Sequence, residues 1–381
     1  MAAPFFASLL GRLPMGALGL VLILHTRALT GSYAYGGLAA GVFALALGVV
    51  APLLGRVIDV RGQTGVLLLA AVVQAAALAA FASLSDDVGV ALLLALAAVI
   101  GAASPPLSAC LRSLWSHLLD DPDVRHAVFS LEAAVLEVVY ILGPVMIVAG
   151  IGAISMRAAA LACGTFALAG SVLFALTAAS RDWRPAQSGP PRTRAGALAG
   201  AGMQTLLAVM VLTGVSVAVI EVAVPALSEE AGSAGAAGLV LGVWGLGSLT
   251  GGVVSGRLGA AADPARRVGR TLGALALLTL PLALASGIAS LAALIFVAGL
   301  FIAPALATAN GLVDALAPPG TVTEAYTWLS TGIAVGIGAG GALGGAVVEG
   351  AGPSTAFLAA AAAVAAAAAV AIAGRSALST P

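Results

Sequence analysis

Long apolar runs, separated by short stretches rich in Gly, Pro or charged residues, follow one another along almost the whole chain. The runs are uniformly apolar, whereas the strands of a membrane barrel alternate in polarity. Each run has about the 20 residues that a helix needs to cross the hydrocarbon core. Because backbone N–H and C=O groups inside lipid must be hydrogen-bonded internally, each run predicts a transmembrane α-helix. The predicted spans are 5–26, 34–54, 65–84, 88–109, 128–149, 157–178, 200–222, 236–256, 271–287, 289–310, 324–347 and 354–374.

One extended polar stretch interrupts this pattern, SRDWRPAQSGPPRTR from Ser180 to Arg194. It predicts a cytoplasmic Pro- and Arg-rich linker over 180–198. The linker separates an N-terminal six-helix half, 1–179, from a C-terminal six-helix half, 199–381. The predicted fold class is therefore an all-α integral membrane protein with twelve transmembrane helices in two pseudo-symmetric halves.

The two halves resemble each other in sequence. GGLAAGVFALALGVVAPLLGR, residues 36–56, aligns without gaps on AGLVLGVWGLGSLTGGVVSGR, residues 237–257. The alignment superposes Gly55 on Gly256 and Arg56 on Arg257. A weaker correspondence pairs Gly101 and Pro106 in span 4 with Gly299 and Pro304 in span 10. Internal repeats are typical of secondary transporters, although chance similarity between Gly- and Ala-rich helices would give a related pattern.

Composition identifies lipid as the surrounding solvent. Hydrophobic residues make up 61% of the 381 residues and charged residues 8%, whereas soluble domains carry about 25% charged residues. The formal net charge is zero and there is no basic tract, so nucleic acid is not an expected partner. Cys110 and Cys163 have no CxxC or His neighbours and are expected to be inert packing residues.

The arginines predict the orientation, because positive charge accumulates in cytoplasmic loops near the spans. With both termini in the cytoplasm, Arg27 and Arg157 are the only loop arginines on the outer side. All cationic residues are Arg, which indicates a GC-rich genome. We therefore expect a multi-pass protein of the bacterial inner membrane.

The loop after span 2 carries a recognisable motif, GRVIDVRGQT from Gly55 to Thr64. It resembles the G-x-x-x-D-[RK]-x-G-R loop of the major facilitator superfamily at Gly55, Asp59 and Gly62. Val60 replaces the usual basic residue, with Arg61 beside it. Asp59 with Arg56 and Arg61 offers charge pairs that form in one conformation and break in another, unless Asp59 only solvates the loop. The equivalent loop after span 8 has no acidic residue at the matching spacing.

Span 5 contains Gly143-Pro144, which resembles the Gly-Pro motif of proton-coupled exporters in that superfamily, although Val139 stands where a further Gly is usual. Pro144 is expected to kink the helix. Span 11 has glycines at a strict four-residue spacing, which predicts a groove for close helix packing; they are Gly332, Gly336, Gly340 and Gly344.

Ionisable residues within spans are costly and mark candidate functional sites. The spans adjacent in the resembled fold bring Arg12 and Glu137 to a similar depth. We predict that Glu137 is protonated and deprotonated during transport and that Arg12 tunes its pKa; a static buried ion pair is the alternative. Glu132 is a further proton-coupling candidate, although a structural pairing with Arg112 is expected.

The resemblance implies a central cavity lined by spans 1, 4, 7 and 10. Substrate-contact candidates are His25, Tyr140, Gln204, Glu221, Thr308 and Asn310. Glu221 could instead lie at the outer interface.

The resemblance implies secondary active transport of a small molecule by alternating access. We expect proton-coupled efflux of a hydrophobic or weakly charged compound by a monomer, with the proton gradient as energy source and no cofactor or metal. Nutrient uptake by the same fold is one alternative, and a membrane sensor or scaffold is another. HExxH, GxSxG and P-loop motifs are absent from the sequence, so an enzyme is not predicted.

Overall fold

The computed structural model describes residues 2–31, 33–85, 89–151, 154–184, 196–233 and 236–379, and these residues contain helices and no strands. The α-helices are α1 (Ala2–Arg12), α2 (Leu18–Thr30), α3 (Tyr33–Arg61), α4 (Gln63–Ala82), α5 (Val90–Ala102), α6 (Leu107–Leu118), α7 (Pro122–Gly143), α8 (Met156–Ala175), α9 (Ala178–Asp182), α10 (Ala201–Glu230), α11 (Ala236–Leu258), α12 (Pro264–Thr279), α13 (Ile288–Gly299), α14 (Ile302–Leu316), α15 (Val322–Ala373) and α16 (Arg375–Leu378). A π-helix, Pro144–Ile151, extends α7, and 3-10 turns occupy Leu13–Gly16, Gly196–Ala199 and Leu280–Leu284.

The helices account for the predicted number of spans. Within the described residues, ten helical segments are long and apolar enough to cross a membrane, and the bent pair at the N-terminus makes an eleventh. One of the ten, α15, has 52 residues and a non-helical break at Gly352. At 1.5 Å per residue it would extend about 78 Å, more than twice the roughly 30 Å of a hydrocarbon core. It therefore supplies two spans.

Besides the predicted span 5–26, which the 3-10 turn Leu13–Gly16 divides into α1 and α2, two predicted spans are interrupted, and their boundaries move. The predicted span 88–109 consists of α5 and α6, which continues to Leu118. Pro105 and Pro106 lie in the break, because proline lacks an N–H and disfavours helix in the residue before it. The predicted span 289–310 likewise divides into α13 and α14, which continues to Leu316.

The described part of the predicted linker 180–198 contains local structure at both ends, the last residues of α9 and the 3-10 turn Gly196–Ala199. Residues 185–195, which hold the linker's three prolines and two of its four arginines, lie outside the described residues.

The chain forms two compact units, and both combine segments that are distant in sequence. Unit 1 comprises Met1–Leu114, Val138–Arg192 and Pro319–Thr327. Unit 2 comprises Trp115–Glu137, Thr193–Pro318 and Trp328–Pro381. Unit 1 thus includes the first turns of α15, and unit 2 includes most of α7.

Unit 1 has a core of α2, α4, α5 and α8 side chains that includes Leu22, Phe81 and Cys163, all fully buried. Its helices also meet backbone to backbone at glycine. A Cβ added to Gly170 of α8 would lie 2.3 Å from the Cα of Gly11 in α1.

Unit 2 contains a contact between two helices, α10 and α15, that extends along four glycines. A Cβ on each of the four span-11 glycines of α15 would lie within 3.1 Å of α10, whose facing residues also recur every four positions. The facing pairs are Gly332 with Leu207, Gly336 with Val211, Gly340 with Val215 and Gly344 with Val219. Such spacing lets two helix backbones approach closely.

This geometry predicts opposite effects for two neighbouring glycines. A Cβ at Gly336 would lie 2.1 Å from the Val211 carbonyl oxygen, whereas Gly338 has open space around it. Gly336→Ala should therefore destabilise the protein by about 1–3 kcal/mol, as overpacking does. Gly338→Ala should be neutral or stabilise by up to about 1 kcal/mol, because alanine favours helix. The measurement is the thermal unfolding midpoint in detergent; equal midpoints for both variants would contradict the close contact.

Candidate functional site

Asp59, in the last turn of α3, is the centre of a polar cluster in unit 1. Its side chain is 3% exposed. Oδ1 accepts a hydrogen bond from the Thr323 backbone N–H at 3.0 Å, and Oδ2 accepts one from the Glu324 N–H at 2.8 Å. Both donors belong to the first turn of α15, where N–H groups have no intrahelical partner. The carboxylate thus caps α15 and faces the positive end of its dipole.

Arg56, one turn before Asp59, extends the cluster. Its Nε donates to Glu324 Oε2 at 3.1 Å, and its Nη2 donates to Oε1 at 2.8 Å. The pair is bidentate, the stronger geometry for a guanidinium and a carboxylate. The Glu324 side chain is 1% exposed and that of Arg56 is 38% exposed. Arg56, Asp59 and Glu324 therefore join the end of span 2 to the start of span 11.

The motif glycines have separate structural roles. A Cβ at Gly55 would lie 2.7 Å from Thr327 Oγ1 and 2.9 Å from the Glu324 Cα, so glycine permits α3 and α15 to meet. Gly62 has φ +89° and separates α3 from α4, a conformation that favours glycine. Arg61 is exposed and lines an apolar groove of about 470 Å³ with Leu54, Val57 and other residues of α3, α4 and α5. It is not placed in the Asp59 cluster by any described hydrogen bond.

Gly143 and Pro144 mark the change from α-helix to π-helix in span 5. A Cβ at Gly143 would lie 2.6 Å from the Leu13 carbonyl oxygen in the turn after α1. The backbones of spans 1 and 5 are therefore in direct contact within unit 1. π-Helical segments are rare and occur frequently at functional sites.

The proton-coupling candidates are only partly described. Arg12, in the last turn of α1, is 3% exposed, and Glu132 in α7 is 1% exposed. The side chain of Glu137 lies outside the described residues. The roles assigned to these residues remain predictions.

Four of the six cavity candidates have hydrogen bonds that hold their side chains locally. His25 is 2% exposed, and its Nε2 lies 3.1 Å from the Phe81 carbonyl oxygen. Gln204 Nε2 donates to the Leu198 carbonyl at 2.9 Å, beside the start of α10. Thr308 Oγ1 donates to the Pro304 carbonyl at 2.8 Å.

Asn310 retains an available acceptor. Its Nδ2 donates to the Leu306 carbonyl at 2.8 Å. Its Oδ1 is buried and has no hydrogen-bond partner among the described residues. Tyr140 and Glu221 have exposed side chains. A solute contact remains a prediction for all six residues.

Glu324, Thr323 and Thr327 were missed by sequence reasoning. Each lies at the start of a predicted span, where a polar residue looks like an ordinary boundary. The usable signal was TVTEA, residues 321–325, in which Thr and Glu precede an apolar run as they do at helix N-termini. The described residues contain no group of three or more His, Cys, Asp or Glu side chains that could hold a metal ion.

Comparison with known proteins gives a family match over part of the chain. Residues 206–378 match the Major Facilitator Superfamily. No curated protein matches the chain. The fold is similar to that of the human organic anion transporter MFSD10 (TETRAN), with a TM-score of 0.75, 18% identity and coverage of 97% of this chain and 98% of that one.

Two other solved structures have a similar fold. A bacterial homologue of the iron transporter ferroportin, in its outward-facing state, gives a TM-score of 0.78 at 16% identity, with 98% of this chain and 99% of that chain covered. The E. coli fucose:proton symporter FucP gives a TM-score of 0.75 at 16% identity, with 98% of each chain covered.

Fold and spans together define a polytopic α-helical membrane protein. The family match covers less than half of the chain, and the solved structures, at 16–18% identity, show a similar fold.

The Asp59 cluster predicts a local change in backbone protection. Asp59→Ala removes the acceptor of the Thr323 and Glu324 N–H groups, so these amides should exchange hydrogen about tenfold faster or more, given the strength of bonds to charged groups. The measurement is hydrogen exchange of the peptide covering 319–327. Asp182→Ala is the matched control, because Asp182 is exposed and belongs to the short helix α9. Equal exchange in both variants would contradict the capping role.

Proposed function

We propose that this chain is a proton-coupled exporter of a hydrophobic or weakly charged small molecule in a bacterial inner membrane. The observation that carries the proposal is the junction at Gly143 and Pro144, where span 5 touches span 1. A Cβ added at Gly143 would lie 2.6 Å from the Leu13 carbonyl oxygen. A contact this close leaves no room for water between the two backbones. A proton-coupled exporter needs water to be excluded there, because protons would otherwise leak across the membrane.

The buried charge of Arg12 supports proton coupling. It directly precedes Leu13 and is 3% exposed. A charged group at such a position in a lipid-embedded chain is costly and marks ion or proton pathways. In this proposal Glu137 carries the proton, and the charge of Arg12 sets how readily Glu137 releases it.

The polar cluster of Arg56, Asp59 and Glu324 supports alternating access. Hydrogen bonds and ion pairs can break and re-form with changing geometry. The cluster joins a first-half helix end to a second-half helix start on the arginine-rich side, which is predicted to be cytoplasmic. The hydrogen bonds and the ion pair of the cluster are formed in one state of the transport cycle and broken in the other.

The spans predicted to line the cavity carry few charged residues, which favours a hydrophobic or weakly charged solute. The proteins of similar fold are an organic anion transporter, a bacterial homologue of an iron transporter and a fucose:proton symporter, and identities below 20% do not transfer any of these substrates. Uptake by the same fold is the second candidate, since FucP is a proton symporter with a similar fold.

Accumulation of lipophilic dyes and drugs in a pump-deficient bacterium tests the proposal. Cells expressing the protein should accumulate less than control cells, and an uncoupler should abolish the difference. Glu137→Gln should abolish it as well, because an amide cannot carry the proton. Glu229→Gln is the matched control, since Glu229 is exposed in the last turn of α10.

Three outcomes separate the alternatives. Uncoupler-sensitive export that survives Glu137→Gln would retain the exporter and reject the role of Glu137. Export that is insensitive to the uncoupler would reject proton coupling. Higher accumulation in expressing cells would overturn export in favour of uptake.

The span 1–span 5 contact gives an independent prediction. Gly143→Ala should force the two backbones apart and increase passive proton flux through proteoliposomes, measured with an internal pH-sensitive dye. Gly150→Ala is the matched control, because its nearest atom, the Val145 carbonyl oxygen, is at an ordinary 3.5 Å. Equal proton flux in the two variants would show that the contact does not seal the pathway.

A further inference from the structure

The start of α7 in unit 2 carries a carboxylate that the family motif does not assign. Asp123, in the first turn of α7, accepts a hydrogen bond at Oδ1 from the Ala260 backbone N–H at 2.7 Å. Ala260 lies in the loop after α11, beside Gly259, which has φ +75°. A Cβ at Gly259 would lie 2.7 Å from the same Oδ1. The loop backbone is thus shaped to receive the Asp123 carboxylate.

A second contact holds the same loop. His126 Nε2 lies 3.1 Å from Ser255 Oγ in α11, and Arg267 Nη2 of α12 donates to that Oγ at 2.8 Å. Arg267 Nη1 also donates to the Gly259 carbonyl at 2.7 Å. Because arginine can only donate, the Ser255 hydroxyl proton is free to be donated to a neutral His126. One chain of hydrogen bonds therefore joins α12, α11 and α7.

A third contact reaches span 10. Arg125 Nη1 lies 3.6 Å from Asp314 Oδ2 in α14. Asp123, Arg125 and His126 are close in sequence, yet each contacts a different part of the second half. The first two turns of α7 are consequently fixed to the loop after α11, to the end of α11 and to α14.

The internal repeat relates this contact to the Asp59 cluster. Gly55 and Gly256 are aligned in the repeat, and each faces the start of a helix from the other sequence half, within 3 Å at Gly55 and at ordinary van der Waals distance at Gly256. Gly55 packs on Glu324 and Thr327 at the start of span 11, and a Cβ at Gly256 would lie 3.4 Å from Ser130 and 3.5 Å from Ala127 near the start of span 5. What differs is the position of the carboxylate. In the first contact the carboxylate of Asp59 lies at the end of α3, and the N–H donors lie at the start of α15. In the second contact the carboxylate of Asp123 lies at the start of α7, and the N–H donor lies in the loop after α11.

We propose that Asp123 is the functional counterpart of Asp59, with carboxylate and backbone donor exchanged between the two partners. Asp123 is a positioning residue that fastens the start of span 5 to the loop after span 8 in one state of the transport cycle. This inference rests on alternating access as part of the proposed function. It also accounts for the missing acidic residue in the loop after span 8, since the acid stands on the opposite partner.

Spin-label distance measurements test this directly and need no substrate. Labels are attached to Leu118→Cys and Leu258→Cys, which are 41% and 73% exposed, and both native cysteines are buried. Asp123→Ala should raise the ratio of a longer-distance to the short-distance population about tenfold, the effect of losing one hydrogen bond to a charged group. Asp123→Asn keeps an oxygen acceptor and should give an intermediate ratio.

Asp120→Ala is the matched control. Asp120 is an exposed acid three residues earlier with no hydrogen bond or ion pair to any residue that the structure describes. A graded shift from Asp123→Asn to Asp123→Ala, with Asp120→Ala unchanged and all unfolding midpoints equal, supports the positioning role. Unchanged distances in Asp123→Ala, or equal shifts in Asp120→Ala, would overturn it.

Failure of this inference and failure of the proposed export are distinguishable. The distance ratio reports the contact whatever the transported solute or coupling ion is. If Asp123→Ala unfolds, Asp123→Asn alone decides, because it retains the shape of the side chain and loses its charge. An unchanged ratio in folded Asp123→Asn, together with export that depends on Glu137, would reject only the role of Asp123.

Discussion

Direct contact between helix backbones at glycine is the constraint on which this structure depends. In lipid no hydrophobic effect drives helices together, so association relies on close van der Waals packing. The α10–α15 pair achieves it with four glycines facing four positions of equal spacing, and the α1–α8 pair with Gly11 and Gly170. The tightest positions have a backbone atom within about 2–3 Å of the absent Cβ. These contacts fix the helices so that the few polar side chains meet in defined geometry.

The polar contacts occur where helices end, because orphan N–H groups are available there. Asp59 takes two such groups from the first turn of α15, whereas Asp123 accepts from the Ala260 N–H in the loop after α11. Both contacts join a first-half element to a second-half element, and each lies within one compact unit. Charged groups near the membrane boundary thereby connect sequence halves that have few other polar residues.

The sequence was sufficient for the spans, because lipid imposes an unambiguous length and composition on each of them. It also identified Gly55, Arg56 and Asp59 through their motif. It did not identify Glu324, because an acid at the first turn of a span looks like a boundary residue. It did not identify Asp123 either, because the repeat predicts an acidic residue in the loop after span 8 and not at the start of α7, which contacts that loop. The interruption at Pro105 had a signal in its two prolines, which counting apolar residues passes over, whereas the apolar residues 300–301 carry none.

The two contacts differ in their surroundings, and this difference has an energetic consequence. Glu324 is 1% exposed and Asp59 3% exposed, whereas Asp123 lies on an exposed first turn. Exposed charged contacts are weakened by water and salt, and buried ones cost more to break because the separated charges remain poorly solvated. In the proposed transport cycle, the buried Asp59 cluster would therefore cost more to break than the exposed Asp123 contact. Exchange of the carboxylate between partners thus gives the two aligned loops contacts of unequal strength.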